Sequence, residues 1–173
     1  MKRTLYILIG LVFAAGLVGV LIQQRSQLLE DRRQIDIHWA QVEEGLKRRA
    51  DLVPALLAAS RSYAGEIQPD ELAKARAALL AARRRQDEIS ANARLAAGLR
   101  RLLADPALKS SPDFERLSDA LAAAENRIAV DRRDYNDAVK KYNMDLQLFP
   151  TNIAAALFDF HRDDNYLKTE PRP

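Results

Sequence analysis

From Leu5 to Ile22 the chain reads LYILIGLVFAAGLVGVLI, eighteen residues without a charge, bounded by Lys2-Arg3 and by Gln23-Gln24-Arg25. A helix rises about 1.5 Å per residue, so this run nearly matches a hydrocarbon core of about 30 Å. A helix also satisfies its own backbone in lipid. The competing reading is a cleaved signal peptide, with Ala14-Ala15-Gly16 as the small-residue site. Six more apolar residues follow that site, which a cleaved signal does not need. The pattern therefore predicts an uncleaved anchor. Lys2, Arg3 and the terminal amine before the span nearly balance Arg25, Arg32 and Arg33 after it. A signal-anchor topology then places the bulk of the chain outside the cytoplasm.

Beyond the anchor the pattern changes to steps of three and four: Ile35, Trp39, Val42, Leu46, Val53 and Leu56-Leu57, with Ala50 filling the gap. Such spacing predicts an amphipathic helix. Pro54 removes the bond to the Ala50 carbonyl and predicts a kink, while the pattern runs on to Ala64. Gly65 stands where a C-cap would, and Gln68-Pro69-Asp70 reads as loop plus N-cap. A second helix is expected from about Asp70 to Ala104, burying Leu72, Leu79, Ile89, Leu99 and Leu102. Ala75, Ala82, Ala93 and Ala96 would let neighbours approach closely. Asp105-Pro106 ends it, and Ser111 as N-cap with Pro112 at the first helical position opens the third. That helix carries Phe114, Leu117, Leu121, Ala124, Ile128, Tyr135, Val139, Tyr142, Leu146 and Phe149. Pro150 stops it, and Thr151 caps a short fourth helix bearing Ile153, Leu157, Phe158 and Phe160.

The fold class predicted is all-α: an N-terminal transmembrane helix, then a long antiparallel up-and-down bundle of three long helices and a short fourth. Residues 1–25 are the anchor, 26–167 the bundle, and 168–173 a tail with nothing to bury, expected to be disordered. Helices of about 35 to 40 residues would each span about 50 to 60 Å. Short connections make them antiparallel neighbours in a coiled-coil-like rod standing on the bilayer. In that rod the turns near Gly65 and Pro150 lie distal, and the 105–111 loop proximal.

Composition supports this picture and narrows the function. Of 173 residues 48% are apolar and only six are Gly, a helix-favouring balance. The absence of cysteine excludes disulfides, thiol catalysis and Cys-ligated zinc. Of the 27 basic residues three lie in the first 25 positions, leaving 24 against all 24 acidic ones. A neutral bundle lacks the basic stripe that drives nucleic-acid binding. Arg83-Arg84-Arg85 is answered within a turn by Asp87 and Glu88.

Catalytic chemistry is sparse. His38 and His161 are the only histidines, on different predicted helices; His161-Arg162-Asp163-Asp164 reads as a solvated helix end. Ser60 and Ser62 have no nearby histidine. No HExxH is present, and Gly10, Gly16 and Gly19 lie in the span, so no glycine loop cradles phosphate. Gly16 and Gly19 also miss the GxxxG spacing. Glu43 with Lys47, Glu44 with Arg48, and Asp137 with Lys141 form ordinary helical pairs. No catalytic residue, metal ligand set or cofactor is assigned. Tyr135-Asn136 and Tyr142-Asn143 fall one heptad apart, the tyrosines on the packed seam. The asparagines lie on its flank with Glu125, Arg132 and Lys140, able to hydrogen-bond a facing helix and fix its register.

Trp39–Glu43 (WAQVE) followed by Arg48–Pro54 (RRADLVP) resembles the first signature of the LemA family. Glu125–Val130, Arg132–Asn136, Tyr142-Asn143 and Phe149–Asn152 are similar to its second, and Phe158 and Phe160 also match. On these motifs the signature positions are Trp39, Glu43, Arg49, Asp51, Pro54, Glu125, Arg127, Arg133, Tyr135, Asn136, Tyr142, Asn143 and Pro150. The resemblance implies a bacterial membrane-anchored helical bundle without established enzymatic activity. Two positions depart from the family pattern: Ala55, where it usually has Asn, and Asp131, where it usually has a small residue. A carboxylate on the seam is costly unless paired. Asp131 is therefore expected to meet Arg48 or Arg49, or to turn to the rim.

The function expected is that of a non-enzymatic scaffold or adaptor, single-pass in the bacterial inner membrane with its bulk extracytoplasmic. Its partners would be the bilayer, through residues 5–22, and other proteins, with no nucleic acid. The alternative is a membrane-tethered sensor holding a small ligand or metal ion between helices near Asp131, Tyr135 and Asn136. A hydrolase would need a site built on Ser60 or His161.

Overall fold

The computed structural model describes residues 2–60, 69–106, 108 and 111–167. The described residues are all-α: α1 (Lys2–Ser60), α2 (Pro69–Ala81), α3 (Arg85–Ala104), α4 (Pro112–Asp145) and α5 (Thr151–Leu157), with no strand among them. Gly65 and the tail 168–173 lie outside the described residues. Two compact units form. The first joins the chain up to Trp39 to the stretch from Arg132; the second is Ala40–Asp131.

In the first unit, Leu28, Ile35 and Trp39 of α1 are buried, as are Tyr135, Val139 and Tyr142 of α4. Trp39 meets the Tyr135 ring edge-on, with centroids 5.7 Å apart and planes at 65°. Lys141 reaches Asp31, so contacts move up α1 as they move down α4, and the two helices are antiparallel here. The apolar face from Leu5 to Ile22 is exposed. It makes α1 the one described helix long and apolar enough to cross a membrane.

The second unit buries Val42, Leu46, Ala50, Val53 and Leu56 of α1 with Leu72, Leu79, Leu95, Leu99, Leu102, Leu121 and Ile128. Gly45 permits close approach here, since a Cβ would stand 2.9 Å from Ile128 Cγ1. Ser111 caps α4, its hydroxyl accepting the Phe114 N–H at 3.4 Å, and Pro112 is its first residue.

Several expectations are corrected. The 70–104 segment is two helices, not one. Arg84 adopts extended backbone (φ −114°, ψ 140°), and α2 folds back on α3, with Leu72 against Gly98 and Glu71 paired to Arg101 at 3.6 Å. The cause is a gap in the seam: between Ala82 and Ile89 the segment offers only polar and charged residues, so a reversal there loses no apolar burial. The Pro150 turn, expected to be distal, lies beside the end of the apolar run, where the Thr151 hydroxyl donates to Gln24 Oε1 at 2.6 Å. Thr151 is accordingly no cap; Pro150 holds the N-cap position of α5 without a side-chain bond. Finally, α4 ends at Asp145, Phe149 is exposed rather than on the seam, and Phe158 and Phe160 lie beyond α5.

Candidate functional site

The Tyr-Asn pairs of α4 grip an extended strap that follows α5. The Tyr142 hydroxyl donates to the His161 carbonyl at 2.9 Å, and the Tyr135 hydroxyl to the Asn165 carbonyl at 3.0 Å. Asn143 takes both polar groups of Asp163: its amide N–H donates to the carbonyl at 2.7 Å, and its oxygen accepts the backbone N–H at 2.9 Å. Asn136 does the same to Leu167, at 2.8 Å each way. The strap residues held are 161, 163, 165 and 167. A heptad on α4 advances about 10.5 Å, and across it the tyrosines hold strap positions 161 and 165 and the asparagines 163 and 167, four residues apart in each case. The asparagines thus hold a peptide strap, not a facing helix. Burial raises the Tyr142 hydroxyl above its ordinary pKa, the nearby Arg32 opposing and Asp163 and Asp31 adding to the rise.

Beside the clamp, Lys141 bridges Asp31 of α1 and Asp145 of α4, the latter at 2.9 Å, rather than pairing with Asp137. Burial raises the Asp31 carboxyl despite Lys141, and its Oδ2 has no hydrogen-bond partner. Burial also acts on Asp145, but the hydrogen bond and charge of Lys141 hold it below the usual carboxylate range. Asp31, Gln34, His38, Asp134, Asp137 and Lys141 line an open groove of about 370 Å³ between α1 and α4. Among the described residues no three His, Asp or Glu side chains converge to hold a metal ion.

The second unit contains a buried cation. Arg49 is 1% exposed; it donates to Asn92 Oδ1 of α3, and its Nη1 lies 3.8 Å from Glu125 of α4. One guanidinium thereby ties three helices. Asp131 is buried and takes the Nε–H of Arg127 at 3.3 Å, one turn back on its own helix. Arg48 is exposed and paired with Glu44 at 2.9 Å. Glu43 pairs with Lys47, and Arg133 is exposed.

Pro54 sits inside α1 with no break in the helix. The carbonyl it leaves without a helical donor, that of Ala50, accepts the Arg76 Nε–H from α2 at 2.9 Å, and Arg76 also reaches Asp51 at 3.4 Å. Asp51 and Pro54 together make the docking point for α2. Arg76 and Asn92 are passed over in the sequence, and Glu88, expected there on a solvated face, is buried. Arg76 is one of many helical arginines, but Asn92 and Glu88 stand in register with Leu95 and Leu99 and were detectable as polar residues on a buried stripe. Burial raises the Glu88 carboxyl, Glu43 adds to the rise, and Lys47 and Arg85 oppose it.

Comparison with known proteins follows the same residues. Over 66 residues the chain is 32% identical to Magnetosome protein MamQ 1 and Magnetosome protein MamQ 2 of Paramagnetospirillum magneticum (strain ATCC 700264 / AMB-1). That stretch is 38% of this chain and 24% of each relative, so the chain spans about a quarter of the length of the curated relatives it matches. The LemA family profile matches residues 38–172, which include all of the clamp, the buried arginine and the Pro54 docking point. The chain belongs to the LemA family.

Proposed function

We propose that this protein is a non-enzymatic scaffold or adaptor, held in the bacterial inner membrane by residues 5–22, with its helical units outside the cytoplasm. One observation carries the reading: most polar side chains of the family signature are engaged within the fold. Tyr135, Asn136, Tyr142 and Asn143 hold the strap. Arg49 and Glu125 join helices, and Asp51 with Pro54 receives Arg76. Residues engaged in this way position surfaces rather than substrates. The magnetosome proteins matched over 66 residues share sequence, not length, and bring no substrate or partner to this chain. Crosslinking in native membranes followed by affinity capture of the full chain is expected to recover defined protein partners. Recovery of the chain alone at every detergent strength would overturn the adaptor reading.

A second reading is a membrane-tethered sensor, sited not at Asp131, Tyr135 and Asn136, which are engaged by Arg127 and the strap, but in the groove between α1 and α4, where Asp31, Asp134 and Asp137 outnumber Lys141. That charge balance suits a small organic cation. Thermal denaturation across amines and guanidinium compounds is expected to show a saturable rise in Tm that is lost in Asp134→Asn. No rise with any of them would remove this reading.

A further inference from the structure

We infer that α5 and the turn before it form a second membrane contact, a collar lying in the lipid–water interface beside the anchor. The inference rests on the anchor reading above. From Leu146 to Phe158 the chain has thirteen residues without a charge, the longest such run after residue 25 of a chain that is 29% charged. Apart from Gln147 and Asn152, its large exposed side chains are apolar. Thr151, Ala154 and Ala155 are buried, whereas Phe149 is 80% exposed and Leu157 64%, with Leu148 and Ile153 also exposed. Small side chains face inward and large apolar ones outward, the reverse of a helix built to face water. Phe149, Ile153 and Leu157 recur at steps of four, and the last two share one face of α5. An apolar face of this kind is covered when it lies against the headgroup–acyl boundary of a bilayer.

What covers this face is indicated by where it is attached. Thr151 at the start of α5 is bonded to Gln24, and Arg25 stands over the Phe158 ring at its end, 5.5 Å from the centroid. Both ends of α5 are therefore held within one turn of α1, two to three residues past Ile22. At about 1.5 Å per residue, that is only about 3 to 5 Å beyond the apolar span. The exposed apolar surfaces of the span and of the collar are brought close to one another by the Gln24 and Arg25 contacts, and one solvent, lipid, satisfies both. Arg25 at this level can extend its guanidinium to the headgroups while its stem stays apolar.

The chain has no cysteine, which makes single-site labelling direct. Val12→Cys, Phe149→Cys and Leu157→Cys, each in the full chain, carry an environment-sensitive fluorophore in vesicles whose phospholipid bears a nitroxide near the headgroup or deep in the acyl chain. Labels at 149 and 157 are expected to be quenched several-fold more by the shallow nitroxide than by aqueous iodide, and the label at 12 by the deep one. Quenching at 149 and 157 by iodide alone, with 12 still quenched from lipid, would overturn the collar and leave the anchor. Protection of 149 and 157 from both quenchers would also overturn it, by showing protein on the patch. A label at 12 untouched by either nitroxide would overturn the anchor, and the collar with it.

Discussion

Asn143 gives both ends of its amide to the single residue Asp163, and Asn136 does so to Leu167. Only a side chain with a donor and an acceptor at this spacing can do that. Asn143→Ala is expected to cost about 1 to 3 kcal/mol, because it removes both bonds to Asp163 and a third to the Tyr166 hydroxyl, and leaves partly buried partners unmatched. Asn143→Asp, with no donor to offer the Asp163 carbonyl, should be no better. Urea denaturation of both variants checks this, and an Asp variant as stable as wild type would refute it. Gly45→Ala should cost about 1 to 3 kcal/mol by pushing Ile128 from its place, unlike alanine at most helix positions. Glu88 contributes in the opposite sense. Its carboxyl pKa is raised on folding, so the folded state holds the proton more tightly than the unfolded one and the buried charge opposes folding at neutral pH. Glu88→Gln is therefore expected to raise Tm at pH 7. The gain should shrink as pH falls through the raised value toward 4.5 and vanish below it, where wild type is itself neutral.

Among the elements, α1 and α4 were legible because their apolar positions hold one period over many turns, and Ser111-Pro112 marks the α4 start without ambiguity. The α2–α3 break was not. Arg83-Arg84-Arg85 is as compatible with a solvated helix face as with a turn, and what favours the turn is Leu72 seating on Gly98, a contact between residues 26 apart. The Tyr-Asn pairs show in the sequence only as a seam and its flank; their hydrogen-bond partners lie in a strap with no period of its own to announce it. Pro54 shows the same limit, since the lost helix bond was predictable but its replacement by Arg76 was not. That replacement has a consequence at this scale. Arg76→Met should lower stability by about 1 to 3 kcal/mol. The loss should be smaller in a Pro54→Ala background, where a helix N–H again reaches the Ala50 carbonyl. Denaturation of the two single variants and the double variant measures the coupling. Strict additivity would sink the assignment.

For the whole molecule, the anchor reading predicts that full-length chain stays with the membrane pellet through an alkaline carbonate wash and leaves only with detergent; release by carbonate would refute it. The first unit then inherits its posture from lipid. α1 runs from the apolar segment to Trp39 with no turn, proline or glycine between Ile22 and that tryptophan. A helix of this kind has no joint at which to absorb a change of angle. Bilayers of different thickness tilt their spans differently. Each degree of lean imposed on Leu5–Ile22 is carried into residues 23–39 as through a stiff lever. The unit would thus report the thickness of the membrane it stands in by the direction in which it points.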